Sequence, residues 1–379
     1  MITPIYLDFN GTTPLDPAVI KAMYPFLETH FGNPSSSHWY GIVPKQAVTK
    51  AREQVAGLLN CQPQEVLFTS GGTESNNHAI IGISRLLADK GRHIITSRVE
   101  HPAVLEVCRF LETRGFAVTY LPVNETGRVI TDTVEAAIRP DTVLISIMHA
   151  NNEVGTVQPI GEIAGIAARH KILMHTDAAQ SAGKIPVQVD ELGVDLLSLA
   201  GHKLYAPKGI GALYIRDGID LPSFCHGADQ EYGRRAGTEN VSSIVGLGAA
   251  CEIAAKQRET DAVHMATLRD KLQAGIEDAV QAVRINGHPT DRLPNTLSVA
   301  FADHTADRVL ETIGLHVSAS AGAACHSDAI TISHVLTAMG IPEKWAHGTL
   351  RFSVGRMTTH NEIDAALPVI IDAVSTPGH

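Results

Sequence analysis

The sequence is poor in cysteine, in aromatic residues and in positive charge, and it lacks any long uninterrupted apolar run. Its five cysteines, Cys61, Cys108, Cys225, Cys251 and Cys325, form no CxxC pair, and an odd number makes a poor disulfide framework. Four of them read as small hydrophobes. The nineteen histidines are scattered without HExxH or another ligand spacing, so no metal site is expected. Lys and Arg number 30 against 40 Asp and Glu, a formal charge of -10. Without a basic cluster, general nucleic-acid binding is excluded, because neutralising phosphates requires one. No segment approaches eighteen apolar residues in a row, and Met1-Ile2-Thr3-Pro4-Ile5 has no basic region followed by an apolar stretch. A cytoplasmic protein, neither exported nor membrane-spanning, is expected.

What is present is enough apolar material, 44% of residues, to bury a large core spread over two or three domains. Between about residues 65 and 215, short apolar runs alternate with helical patterns. The runs are Val66-Leu67-Phe68-Thr69, His93-Ile94-Ile95-Thr96, Val118-Thr119-Tyr120-Leu121, Val143-Leu144-Ile145-Ser146, Ile172-Leu173-Met174-His175 and Leu196-Leu197-Ser198. Amphipathic segments over 103–114 and 160–170 lie between them. This alternation predicts an α/β fold with an open, mostly parallel sheet covered on both faces, whose ligands sit beyond the carboxyl ends of the strands. After about residue 250 the pattern becomes a long polar helix over 261–282, strands such as Thr296-Leu297-Ser298-Val299-Ala300, and a final helix over 361–374. A large domain over 13–255 and a smaller α+β domain from 1–12 and 256–379 are expected.

Two strand ends carry the chemistry. His175-Thr176-Asp177-Ala178-Ala179-Gln180 puts an Asp after one apolar run, and Ser198-Leu199-Ala200-Gly201-His202-Lys203 puts a Lys after the next. A pyridoxal-phosphate enzyme needs this pair: an amine to form a Schiff base with the cofactor aldehyde, and a carboxylate to keep the pyridine nitrogen protonated. Either residue alone has an ordinary structural explanation, since lysines are mostly solvated and an Asp after a strand often caps a helix. Thr69-Ser70-Gly71-Gly72-Thr73-Glu74-Ser75-Asn76-Asn77 also follows a strand and leads into an apolar-periodic helix over 79–87. Small residues at a helix start offer backbone N–H groups to a phosphate. An ordinary capping box is the alternative.

These segments, with Tyr6-Leu7-Asp8, Gly32-Asn33-Pro34-Ser35-Ser36, Asn151-Asn152-Glu153-Val154-Gly155, Arg235-Ala236-Gly237-Thr238 and Arg351-Phe352-Ser353, run nearly end to end. In order and content they resemble the NifS/IscS-like cysteine desulfurases, a class V branch of the fold-type I pyridoxal-phosphate enzymes. The resemblance implies pyridoxal 5'-phosphate as cofactor. Gly72 and Thr73 would bind its phosphate and His101 would stack on its ring. Asn152 and Gln180 would bond the ring oxygen, Asp177 the ring nitrogen and Lys203 the aldehyde. His202 would join the phosphate cup and Thr238 would reach the phosphate of the other subunit of a homodimer.

His101 would also exchange a proton with the substrate sulfur, although a lone histidine is more often a helix-start residue. Arg351, in the predicted strand over 350–354, would grip the carboxylate of an amino acid in bidentate fashion; an internal salt bridge is the alternative. Asn33 would help bind that carboxylate, or shape a turn. Cys325 lies in the small-residue run Ser318-Ala319-Ser320-Ala321-Gly322-Ala323-Ala324-Cys325-His326-Ser327-Asp328, which should be mobile and should carry the persulfide-forming thiol, with His326 able to lower its pKa. A buried inert cysteine describes Cys251 better.

The expected reaction converts L-cysteine to L-alanine and leaves sulfur on Cys325 for an acceptor protein. Iron–sulfur cluster assembly, transfer-RNA thiolation, DNA sulfur modification and cofactor synthesis all draw on such a persulfide. The sequence also departs from the desulfurase pattern. Ala200 stands where desulfurases present a serine hydroxyl to the phosphate, a loss of roughly 1.5 to 3 kcal/mol of cofactor binding unless another donor compensates. Asp229, in His226-Gly227-Ala228-Asp229-Gln230-Glu231, adds an acid near the expected mouth of the site or is a turn substitution. Gly322-Ala323-Ala324-Cys325-His326-Ser327-Asp328 and Asn10-Gly11-Thr12-Thr13-Pro14 are closer to selenocysteine lyases, so L-selenocysteine is the alternative substrate. The C-terminal segment with which some desulfurases hold a scaffold protein is not evident before His379. A class V aminotransferase and a sulfur-carrier or scaffold subunit are the remaining alternatives.

Overall fold

Buried on both faces, runs such as Val66–Thr69 and Thr142–Ser146 need apolar cover above and below, which is what a helix-covered sheet supplies. The computed structural model describes residues 3–326 and 329–375, with side chains described throughout except at 323–331. After a two-residue strand β1 (Ile5–Tyr6) come β2 (Val66–Thr69), β3 (His93–Ser97), β4 (Ala117–Leu121), β5 (Thr142–Ser146), β6 (Leu173–Asp177), β7 (Leu196–Ala200) and β8 (Gly211–Ile215). These last seven form one sheet in the order β2-β8-β7-β6-β5-β3-β4. All its pairings are parallel except those of β8, which runs antiparallel to β2 and β7. The carboxyl ends of β2, β3, β5, β6 and β7 therefore share one edge.

Successive strand residues feed opposite faces, as the pleat requires. Ile145, Leu197 and Tyr214 join one core with Val55, Leu59 and Leu247. Leu144, Leu196 and Leu213 join another with Ile80, Ile83 and Val104. Burying each such side chain contributes about 1.5–3 kcal/mol.

The covering helices are α1 (Pro17–Glu28), α2 (Trp39–Leu59), α3 (Gly72–Leu86), α4 (Pro102–Glu112), α5 (Thr131–Ala137), α6 (Ile160–Arg169), α7 (Val189–Leu192) and α8 (Val241–Ala279). Two of them correct the sequence-based expectation. The helix expected from residue 79 starts at Gly72, so the glycine-rich turn is its first turn. The polar helix expected over 261–282 is the second half of α8, which starts at Val241. Its first half is rich in Gly and Ala because it lies against α2. A Cβ at Gly248 would fall 2.6 Å from the Cα of Ala51, so only glycine permits this approach.

The remaining strands are β9 (Val283–Asn286), β10 (Thr296–Phe301), β11 (Val317–Ser318), β12 (Ser320–Ala321), β13 (Ala323–His326), β14 (Ala329–Ile332) and β15 (Thr349–Ser353). Four of them form an antiparallel sheet, β12-β15-β10-β9. Its core holds Leu7, Leu272, Ile276, Phe301, Phe352 and Ile370. Because β1 pairs with β11, the first residues of the chain belong to this second core. Within the small-residue run read as a loop, Ala323–His326 is a strand instead, paired antiparallel with β14 so that Cys325 lies opposite Ile330. Ser333 N–H closes its base on the Gly322 carbonyl at 3.0 Å.

Candidate active site

At the shared carboxyl edge, a cavity of about 300 Å³ is lined by Gly72, Thr73, His101, Asn152, Asp177, Gln180, His202, Lys203 and Arg351, with Asn10, Gly11, Asn76 and Ala200. Asp177 ends β6. Its Oδ2 accepts from Asn76 Nδ2 at 2.7 Å and its Oδ1 from the Ala179 N–H at 2.9 Å. These donors fix the orientation of the carboxylate. Lys203 follows β7 in the tight turn Gly201–Lys203. Its Nζ donates to the carbonyls of Asn10 at 2.5 Å and Gly11 at 2.7 Å. Burial pushes this amine down to about 8, Arg351 pushes the same way, and Asp8 and Asp177 oppose them.

Gly72 and Thr73 start α3, whose first N–H groups have no partner within the helix. Glu74 anchors this turn, accepting from the Ser70 N–H at 2.8 Å and from Arg235 Nε at 2.9 Å. His202 lies across the cup, with Nδ1 3.2 Å from Thr12 Oγ1. Burial, helped by Lys203, pushes its pKa down to about 4 and keeps it neutral. His101 is both a helix-start residue and a cavity residue. It caps α4, Nδ1 accepting from the Ala103 N–H at 3.1 Å, and it also lines the cavity. Nε2 is left as the protonated nitrogen, and burial lowers the ring's pKa.

Arg351 is paired internally and lines the cavity as well. Its Nη2 donates to Asp8 Oδ1 at 2.7 Å and Ser320 Oγ at 2.9 Å, and its Nη1 to the Asn152 carbonyl at 3.0 Å. The internal salt bridge is therefore present, yet Nε is buried without a partner among the described residues and the side chain lines the cavity.

Asn33, Thr238 and Asp229 do not line this cavity. Asn33 is exposed in a turn, its Oδ1 accepting from the Ser35 N–H at 2.9 Å, so the turn-forming alternative describes its place in a single chain. Thr238 lines a separate cleft with Arg235 and Asn240. The side chains of Cys325 and His326 are outside the described residues. Asp229 is exposed in a cleft with Ser35 and Arg52 rather than at the mouth of the cavity. Its φ of -82° needs no glycine-like freedom; the left-handed residues there are Glu231 and Tyr232. Glu231 buries its carboxylate against Arg52 at 2.6 Å.

The sequence reading assigned no role in the site to Asp8, Asn10, Gly11, Asn76 or Lys184. Asn10 is the most connected of these. Its side chain bonds the Asn152 carbonyl, Thr296 Oγ1 and Asn295 Nδ2, while its carbonyl accepts from both Lys203 and Gln180. No local pattern announces this, because the contact assembles segments far apart in the chain.

Residues 5–366 match the Aminotransferase class-V family. The chain belongs to that family. It is 48% identical over 367 residues to a cysteine desulfurase IscS from Dictyoglomus turgidum, covering 97% of this chain and 93% of that protein. Among solved structures, a NifS-like protein is similar at TM-score 0.93 and 38% identity, covering 98% of this chain and all 100% of that one. The structure titled SspA in complex with cysteine is similar at TM-score 0.83 and 40% identity, over 93% and 99% of the two chains.

The cofactor of these class V enzymes is pyridoxal 5'-phosphate, and the cavity fits it. The fixed carboxylate of Asp177, the amine of Lys203, the open N-terminus of α3 and the neutral His202 supply complements to a ring nitrogen, an aldehyde and a phosphate. Among the described residues Asn76 Oδ1 and Arg351 Nε have no partner in its wall, as expected where a polar guest completes the hydrogen bonding.

Proposed function

We propose that the chain is a pyridoxal-phosphate-dependent cysteine desulfurase that converts L-cysteine to L-alanine and loads the sulfur onto Cys325 for transfer to an acceptor protein. The convergence of Lys203, Asp177, His101 and Arg351 on one cavity carries this reading, and the cysteine desulfurase relatives support it. When bound, the cofactor supplies an electron sink for the carbanion at the substrate Cα. Asp177 holds the ring nitrogen's proton in place. Arg351 orients the substrate through its carboxylate. Lys203 Nζ, with its pKa pushed down to about 8, is neutral often enough near neutral pH to take the Cα proton. His101, with Nδ1 committed to the Ala103 N–H, works through Nε2 and exchanges a proton with the substrate sulfur. Cys325 Sγ, as thiolate, attacks that sulfur. The substrate C–S bond breaks, its electron pair stays on carbon until that carbon is protonated, alanine leaves, and a persulfide remains.

A homodimer belongs to the same proposal. Leu27, Phe31, Trp39 and Tyr40 on and between α1 and α2 are exposed, Phe31 by 75% and Trp39 by 76%, with the Phe31 and Tyr40 rings stacked; exposed large apolar side chains grouped this way suit an interface. Thr238 points to the same conclusion: it stands outside its own chain's cavity and would serve the cofactor phosphate of a second copy.

Alanine release by the cofactor-loaded protein from L-cysteine and from L-selenocysteine, measured in parallel, tests the function. Activity on cysteine that disappears in Cys325→Ala and in Lys203→Ala is the expected result. Preferred activity on selenocysteine that survives Cys325→Ala identifies a lyase instead, and no alanine from either substrate overturns both.

A further inference from the structure

Lys184 is a buried lysine, 6% exposed, that the mechanism above does not use. It follows the tight turn after β6, and among the described residues its Nζ donates only to Gln180: to the carbonyl at 2.9 Å and to the side-chain Oε1 at 3.2 Å. No carboxylate among the described residues lies within ion-pairing distance, and the charges that reach it are those of Lys203 and Arg351, both positive. An ammonium buried beside like charges is costly. Burial pushes its pKa down to about 7.

Gln180 is the cavity residue whose amide the ring oxygen would meet. Without a constraint an amide can present either its oxygen or its nitrogen. Here Oε1 is committed to Lys184, so Nε2 is the end left for the cavity side, and it donates to the Asn10 carbonyl at 3.0 Å. The same carbonyl takes Lys203 Nζ at 2.5 Å. A polar chain thus runs from Lys184 through Gln180 and Asn10 to Lys203. We propose that Lys184 is a positioning residue for the cofactor: its amine locks the Gln180 amide with N–H toward the ring oxygen and polarises that N–H. The inference rests on the pyridoxal-phosphate reading above. An anionic ring oxygen placed next to Gln180 would in turn favour the protonated amine.

The groups facing this chain set the sign of its effect. Asp177 and Asp8 are negative; Lys203 and Arg351 are positive; His101 and His202 have lowered pKa values. Losing the Lys184 charge removes a cation from this set, so the Lys203 nitrogen, once joined to the cofactor, would hold its proton to a higher pH.

The test is a spectrophotometric pH titration of the visible cofactor band in the loaded wild type, Lys184→Met and Lys184→Gln, with alanine release measured alongside. The midpoint should rise by about one pH unit in both variants. Lys184→Gln, which keeps an N–H donor on a shorter side chain without the charge, should recover part of the cofactor retention, read after dialysis, that Lys184→Met loses. A folded Lys184→Met with the wild-type midpoint overturns the proposal, and if that variant does not fold, an unmoved midpoint in Lys184→Gln does the same. A wild type that shows no cofactor band overturns the desulfurase reading as well, whereas an active wild type with unmoved variants overturns only the role of Lys184.

Discussion

At position 200 a methyl group stands where the resemblance expects a serine hydroxyl. Ala200 ends β7 and is 7% exposed in the cavity wall. A Cβ at Gly72 would fall 3.2 Å from the Ala200 Cβ, so position 200 is packed directly beside the open start of α3. A hydroxyl there adds a donor close to the phosphate cup without displacing a side chain, since Gly72 has none. A charge-assisted hydrogen bond contributes roughly 1.5–3 kcal/mol, so Ala200→Ser should retain pyridoxal phosphate at least tenfold more tightly, read as the apparent Kd by cofactor fluorescence after dialysis. Equal retention would mean that Thr73, His202 and the α3 N–H groups already saturate the phosphate. Residues at the site differed in how well the sequence foretold them. Asp177 and Lys203 were legible because each ends an apolar run whose direction the alternating pattern sets. Lys184 and Asn10 were not: a lysine is ordinarily solvated, and only the packed turn and the distant Asn295 and Thr296 make these two residues interior.

Elements of the central sheet are tied together by polar side chains as well as by the ladder. His175 on β6 is buried between Ser146 Oγ of β5 at 2.8 Å and Ser198 Oγ of β7 at 3.0 Å. Burial pushes its pKa down to about 3, and that of His149 to about 4. In the unfolded chain both return to about 6.5, so the unfolded state binds more protons between the two values. Their contribution to stability is therefore fully present above about pH 6.5 and is lost as pH falls toward the folded values. Glu100, pushed up to about 8 by burial, acts in the opposite sense, its contribution being full below its unfolded pKa and lost as pH rises through 8. Two histidine protons against one carboxyl proton leave a net loss on acidification. The midpoint of urea unfolding should fall from pH 6.5 to pH 4.5, and His175→Asn should flatten that fall while lowering stability at neutral pH. A wild-type midpoint independent of pH would refute this account. The strands themselves were readable because burial on both faces leaves nearly continuous apolar runs. The first half of α8 was not, since its Gly and Ala positions owe their place to contact with α2, and β8 escaped notice because no helix separates it from β7.

Across the whole molecule, the two cores meet at the cavity: Arg351 and Asp8 come from the second core's elements, while Asp177 and Lys203 come from the first. Thr238 belongs to neither wall, which makes a single chain an incomplete site if the phosphate needs it. The exposed Phe31, Trp39 and Tyr40 supply the apolar surface that a second copy would cover. Replacing both Trp39 and Tyr40 with Ser should halve the solution mass and remove cofactor retention together. The sharper test mixes two variants, each expected to lose alanine release by itself. Thr238→Ala and Lys203→Ala each lack one group, and in a mixed dimer the subunit that keeps Lys203 would receive an intact Thr238 from its neighbour. Unfolding and refolding the two together should therefore restore alanine release at about one site in four if subunits associate at random in equal amounts. If Thr238 served its own chain, no pairing could rebuild a complete site and the mixture would stay inactive. Recovery thus reports on which chain the residue serves, and the variants refolded separately control for refolding itself.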